Sequence, residues 1–166
     1  EKALAEKKER TVARERQVTA QEVTVGNERA VDAYYRHYQD VMNRHKGGEV
    51  DLSRVDSMIA VRMRVTGHEH DNVLNALRQC APSIRPDAEA GRNWEDYAQR
   101  TARYAFGQGG NRQVQGLSKY EDQWLKLEGR ETKVELAARQ HLELERAQAK
   151  EQKLTKSRGR GLGMSR

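Results

Sequence analysis

The stretch from Asn93 to Phe106 reads NWEDYAQRTARYAF and contains the start, the buried face and the end of one helix. Asn93 is a favourable N-cap residue, and Glu95 follows in the first turn, where a carboxylate suits the positive end of the helix dipole. Gly107 predicts where the helix ends. Between these signals, residues at helical spacing predict one buried stripe: Trp94, Tyr97, Ala98, Thr101, Ala105 and Phe106.

Three similar stripes precede this helix. One starts at Asn27, a second follows the cap candidates Asp51 and Ser53, and a third runs from about Glu69 to Ala81. Four short helices with matching stripes predict an all-α fold, a small irregular four-helix bundle flanked by long charged helices. The predicted core comprises Tyr34, Tyr38, Leu52, Val55, Ile59, Leu74, Leu77, Trp94, Tyr97 and Phe106.

Outside the bundle the chain is more polar, and its composition changes at several points. Residues 1–25 predict a solvated connector helix, and 26–107 the helix-bundle domain. Residues 108–117, rich in glycine and glutamine, predict a flexible linker. A capping-box pattern at Ser118–Glu121 predicts a long helix over 118–155, and 156–166 predict a disordered basic tail.

Composition limits the class of protein. The 166 residues are 36% hydrophobic and 34% charged, which is too polar for a compact globule throughout. The sequence opens on Glu1, so we expect a fragment of a longer protein. The single cysteine, Cys80, fits a small buried helix residue in a reducing compartment. No signal peptide or transmembrane run is visible, so we expect a cytoplasmic protein without a membrane partner.

The net charge of +6 is unevenly distributed along the chain. Residues 26–106 contain twelve basic and twelve acidic residues, whereas 150–166 contain six basic residues and one acidic residue. The charge pattern therefore favours a basic tail over a basic groove within the bundle.

No residue pattern predicts catalysis, a metal or a cofactor. His68 and His70 flank a glutamate at a predicted helix start, where solvation or capping is favoured over metal ligation. Tyr34 and Tyr35 lie on an amphipathic helix, so we expect one ring in the core and the other half-exposed, instead of a tyrosine nucleophile. The sequence therefore predicts a non-enzymatic fragment.

Three motifs carry a family resemblance: AVDAYYRHYQDVMNRHKGGEVDLSRVDSMIA at 30–60, LRQCAPSIRP at 77–86 and WEDYAQRTARYAF at 94–106. Their order resembles the C-terminal helix-bundle module of plasmid replication primases, which also occurs in conjugative relaxases and relaxase–primase fusions. The resemblance implies a non-catalytic accessory domain of a plasmid relaxase or relaxase–primase. Such a domain assists in binding DNA, either single-stranded or at the transfer origin, or docks to the transfer machinery.

The resemblance and the basic residues together define candidate DNA contacts. They are Arg54, Arg62, Arg64, Arg100 and Arg103 in the bundle, and Lys150, Lys153, Lys156, Arg158, Arg160 and Arg166 in the tail.

Within the tail, Arg158, Arg160 and Arg166 also resemble arginine-rich type IV secretion signals. This would suit a protein that is translocated to a recipient cell, with a coupling protein or other relaxosome proteins as partners. A basic tail that binds nucleic acid non-specifically and a merely solubilising end remain open beside it. The alternative function is a helical protein–protein interaction module without DNA binding.

Overall fold

The computed structural model describes residues 26–86, 89 and 91–163, together with Ala3 and Ala5. Over these residues all regular structure is helical and no strand occurs, which confirms the predicted all-α class. The helices are α1 over 26–44, α2 Leu52–Val65, α3 His70–Cys80, α4 Trp94–Phe106, α5 Gln108–Leu117, α6 Glu121–Leu127 and α7 Lys133–Gly163. Short 3-10 turns occupy Ala81–Ile84 and Ser118–Tyr120. The predicted connector at 1–25 lies outside the described residues, apart from two alanines.

The predicted helix boundaries are confirmed by their caps. The Asp51 carboxylate accepts hydrogen bonds from the backbone N–H groups of Ser53 and Arg54, at 3.1 and 3.3 Å. The Asn93 side chain accepts from the Asp96 N–H at 3.1 Å. Gly67 follows α2 with φ +93°, a left-handed conformation that glycine adopts without steric cost.

The core forms where α1, α2, α3 and α4 meet. Tyr34, Val55, Ile59, Leu77 and Tyr97 are buried as predicted. Others from the predicted core are only partly buried at its edge: Tyr38, Leu52, Leu74, Trp94 and Phe106. Small side chains take the central places on α4, with Ala98, Ala102 and Ala105 fully buried, because alanine lets this helix approach α2 and α3 closely.

A charged group lies at the centre of this core. Asp56 on α2 is fully buried and accepts hydrogen bonds from the hydroxyls of Tyr34 on α1 and Tyr97 on α4. Arg85, after the first 3-10 turn, pairs with the same carboxylate at 2.8 Å and donates to the Ala81 carbonyl at 2.9 Å. Burial and the Asp56 carboxylate raise the pKa of the Tyr97 hydroxyl to about 12, so it remains a donor. One carboxylate thus joins three helices and a loop.

The predicted flexible linker at 108–117 is wrong as secondary structure, because this segment forms α5 and packs on α2 and α4. One of its glycines, Gly110, permits close approach to the backbone at the end of α4. A Cβ atom on Gly110 would lie 1.8 Å from the Ala105 carbonyl oxygen. Arg64 also fastens α5, since its guanidinium donates to that carbonyl at 2.7 Å and to the Asn111 side chain.

The predicted single helix over 118–155 is also wrong, since α6 and α7 are separate. Gly129 (φ +75°) interrupts the helical path between them. The interruption places Glu128 in the interior, where its carboxylate contacts the His37 Nε2 at 2.8 Å and accepts from the Thr66 hydroxyl at 2.8 Å. Ser118 does not form the expected capping box. Thr132 and Glu135 form one at the start of α7, each side chain accepting from the other's N–H.

Residues 156–163 of the predicted disordered tail are helical and continue α7, and 164–166 lie outside the described residues. Helix propagation adds one backbone hydrogen bond for each residue that is fixed, and α7 continues in this way through three glycines that by themselves disfavour a helix. Four of its larger apolar side chains remain exposed: Val134, Leu142, Leu144 and Leu154. No helix in the described part of the chain is long and apolar enough to cross a membrane.

The Glu128 carboxylate should make stability depend on acid. Burial opposes its ionisation, but hydrogen bonds with His37, His68 and Thr66 prevail and lower its pKa far below the usual range. A depressed pKa in the folded state adds stability above the unfolded value of about 4.3, and this stability is lost as the pH falls below it.

We therefore expect the free energy of unfolding in urea to fall between about pH 5 and pH 3, and to fall less in Glu128→Gln. Glu145→Gln, an exposed control on α7, should keep the wild-type slope. An unchanged slope in Glu128→Gln would contradict the assignment of this acid sensitivity to Glu128.

Candidate nucleic-acid interface

A surface groove runs along one face of α2 between the end of α1 and the α5–α6 region. Two adjoining depressions, of about 320 and 400 Å³, share Arg44, Met58 and Arg62 as lining residues. Arg54 lines one end, and Tyr120 lies at the other. Because α2 contributes Arg54, Met58 and Arg62 at four-residue spacing, these three side chains follow one another along a single helix face.

The groove combines exposed cations with a supported aromatic surface. Arg44 is well exposed, with a side-chain exposure of 63%, and Arg54 is exposed too. Tyr120 is 39% exposed and packs against the buried Trp124, with ring centroids 5.7 Å apart. Phosphate groups are bound by exposed cations and bases by aromatic rings, so the arrangement has the chemistry of a single-strand binding surface.

Arg62 lines this groove, but its guanidinium is held by contacts within the fold. Its guanidinium pairs with Asp40 at 2.8 Å, and its carbon Cζ lies 5.0 Å from the Trp124 ring centroid. Burial opposes ionisation of Asp40, but Arg62 and Arg44 prevail and lower its pKa. The ion pair therefore persists at neutral pH and holds the Trp124 ring against α2.

The other candidate arginines of the bundle are dispersed. Arg64 is engaged with α5 and lies over the Phe106 ring at 5.5 Å, so it fastens the fold. Arg100 and Arg103 are exposed on α4, outside the residues that line the groove, and Arg100 pairs with Asp96 at 3.0 Å. Of the five predicted bundle arginines, the groove brings together only Arg54 and Arg62.

The basic residues of α7 form a second cationic region. Lys150, Lys153, Lys156 and Arg158 are exposed on this helix. Lys150, Lys153 and Lys156 follow at three-residue spacing and share one side of the helix. Arg160 lies within α7, and Arg166 lies outside the described residues.

The remaining sequence candidates occupy structural positions. Tyr34 is fully buried and Tyr35 is 41% exposed, which confirms their predicted division. His68 contacts the Glu128 carboxylate at 3.2 Å, and His70 packs against Phe106. Cys80 is buried as predicted, and burial raises the pKa of its thiol to about 11. The described residues contain no cluster of three or more histidine, cysteine or acidic side chains suited to a metal.

Sequence reasoning missed Arg44, Met58 and Tyr120 as groove residues. Tyr120 and Trp124 recur at four-residue spacing, which is the available signal for an aromatic pair on one face. Arg44 and Met58 gave no such signal, because their meeting depends on how α1 packs against α2.

Two comparisons with known proteins indicate the class of this helical unit. Residues 50–105 match the RepB DNA-primase C-terminal helical domain. The chain is also 57% identical over 127 residues to a DNA primase from Acidithiobacillus ferrooxidans. This alignment covers 76% of the chain and 34% of the relative, so the chain spans about a third of that protein's length. Together they support a primase-type helical domain, and no solved structure matches the chain.

Proposed function

We propose that this chain is a non-catalytic accessory domain of a plasmid primase or relaxase–primase, and that it binds DNA for the catalytic part of the parent protein. The observation that carries the proposal is the groove that Arg44, Arg54 and Tyr120 line along its length. The similarity to primase sequences supports the association with DNA. The link to conjugative relaxases rests on the sequence resemblance alone.

In this proposal the two cationic regions contribute to DNA binding in different ways. The groove supplies a shaped contact for a short length of strand, and α7 supplies exposed charges that attract phosphates without shape. Electrostatic contacts of the second kind dominate non-specific affinity and weaken steeply with salt. Docking to the transfer machinery, through a type IV coupling protein, would use the same end of the chain through Arg158, Arg160 and Arg166.

A salt titration separates the contributions of the two regions. We expect the full chain to bind short DNA at about 50 mM salt, and log affinity to fall linearly with log salt. A chain ending at Gln148 should bind more weakly, with a slope reduced by roughly 0.7–0.9 for each phosphate that the removed residues had neutralised. Arg44→Ala and Arg54→Ala should weaken binding further, whereas Arg100→Ala should have a smaller effect.

Other outcomes would contradict this proposal. Binding that survives both groove substitutions and the truncation would place the site elsewhere on the chain. If no form of the chain binds DNA, the protein–protein interaction module takes its place. The tail should then be fused to a reporter, and loss of its export on replacing Arg158, Arg160 and Arg166 by alanine would support a secretion signal.

A further inference from the structure

We infer that the Tyr120 end of the groove receives an unpaired base of the single strand that the domain binds. This inference rests on the proposed DNA-binding function and assigns the part of the groove that contacts a base. It concerns the depression of about 320 Å³ between α2 and the α5–α6 region, where Met58, Gln123, Trp124 and Tyr120 meet.

The shape of this depression selects for an unpaired base. In a duplex both faces of each base are stacked on their neighbours, and only the base edges and the phosphates are accessible. A recess between helices can take a base only after it has left the stack. The depression has the volume of a small-ligand pocket, which begins at about 300 Å³.

The lining offers apolar and aromatic contact together with amides. Tyr120 is 39% exposed and Met58 is 44% exposed, so both side chains have surface that a bound partner could bury. Trp124 supports the Tyr120 ring from within, and Arg62 fixes Trp124 in turn. The exposed Gln123 amide can both donate to and accept from a base edge, so the lining favours no particular base.

Charge around the recess complements a strand that enters it. Arg44 lines both depressions and Arg54 lines the further one, so phosphates on one side of the bound base meet cations. The Lys119 ammonium lies over the Tyr120 ring, 5.2 Å from its centroid. The nearby carboxylates are engaged, because Asp40 pairs with both Arg62 and Arg44 and Asp51 caps α2. Glu49 is the acidic residue that remains near Arg54 in the lining.

The test uses the full chain and two probes, an oligothymidylate about a dozen nucleotides long, within the range of single-strand sites, and a duplex of the same length. We expect tighter binding of the single strand, measured by fluorescence anisotropy. Tyr120→Ala should weaken single-strand binding by about ten-fold, because stacking of one base contributes that much. Tyr120→Phe, which keeps the ring, should retain most of the affinity. Tyr35→Ala removes an equally exposed tyrosine outside the groove and should have little effect.

A second substitution tests the same site independently, in case Tyr120→Ala disturbs the fold. Met58→Glu places a carboxylate on an exposed position of α2, and we expect it to reduce single-strand binding while the helical circular dichroism stays unchanged. Equal affinity for duplex, or unaltered binding by both Tyr120→Ala and Met58→Glu, would overturn the inference and leave the proposed DNA binding intact. Absence of any binding to either probe would overturn both.

Discussion

Asp56→Ala should destabilise the domain by about 3–5 kcal/mol, because removing one partner of a buried ion pair leaves the other charge without compensation. Arg85 would keep its charge in the interior, and the hydroxyls of Tyr34 and Tyr97 would lose their acceptor. Equilibrium unfolding in urea, followed by circular dichroism at 222 nm, measures the loss. Asp71→Ala, which removes a well-exposed carboxylate on α3, should cost less than about 1 kcal/mol.

The same experiment has an outcome that would reject the buried network. A loss below about 1 kcal/mol in Asp56→Ala would mean that Asp56 is hydrated or that Arg85 reaches solvent in the folded protein. A milder variant sharpens the result, since Tyr34→Phe removes one hydroxyl and leaves the ion pair. We expect it to cost about 1 kcal/mol.

Gly110→Ala should destabilise the domain by about 3 kcal/mol, at the upper end of the range for overpacking. The added methyl group would meet the backbone carbonyl of Ala105 at 1.8 Å, and backbone cannot rotate away as a side chain can. We expect α5 to move off α4 and to lose protection in amide hydrogen exchange.

Gly116→Ala is the matched control on the same helix. A Cβ there meets nothing within 4 Å, so alanine should add stability of up to about 1 kcal/mol through its higher helix propensity. The two substitutions are chemically identical and should differ in sign. Equal effects would indicate that α5 does not pack on α4 through Gly110.

The helices that the sequence predicts well are those whose signals are local. The stripe from Tyr97 to Ala105 with its Asn93 cap and the Asp51 cap of α2 both depend on residues within a few turns, and both are confirmed. Glycine-rich α5 was missed because isolated glycines argue against a helix, whereas Gly110 serves contact between two backbones. The Ser118–Glu121 pattern predicted the start of the long helix, whereas the capping box forms at Thr132 and Glu135, which have the same kinds of residue at the same spacing.

The hydrophobic pattern of the sequence could not predict which charged residues are buried. Polar residues between hydrophobic stripes are predicted to lie on the surface, but three of them are buried: Asp56, His37 and Glu128. Their burial becomes favourable only when partners from distant segments surround them, as Arg85 does for Asp56. The groove shares this origin, because Arg44 and Tyr120 come from segments far apart in the chain. Of the arginines predicted from the resemblance and their charge, Arg54 and Arg62 line the groove, because they lie eight residues apart on one face of α2.

The Glu128 contacts show that the packed unit is longer than the segment that matches the primase family. The recognised primase segment ends at residue 105 and begins at residue 50. A fragment with those limits would lack Tyr34 and His37, and its Thr66 would be without the Glu128 carboxylate. A piece from 26 to 135, which starts with α1 and ends at the Thr132–Glu135 capping box, keeps these partners and is roughly twice as long. Truncated forms of this and similar proteins should keep these hydrogen-bond partners together, because a chain cut at the edges of the sequence match would lose some of them.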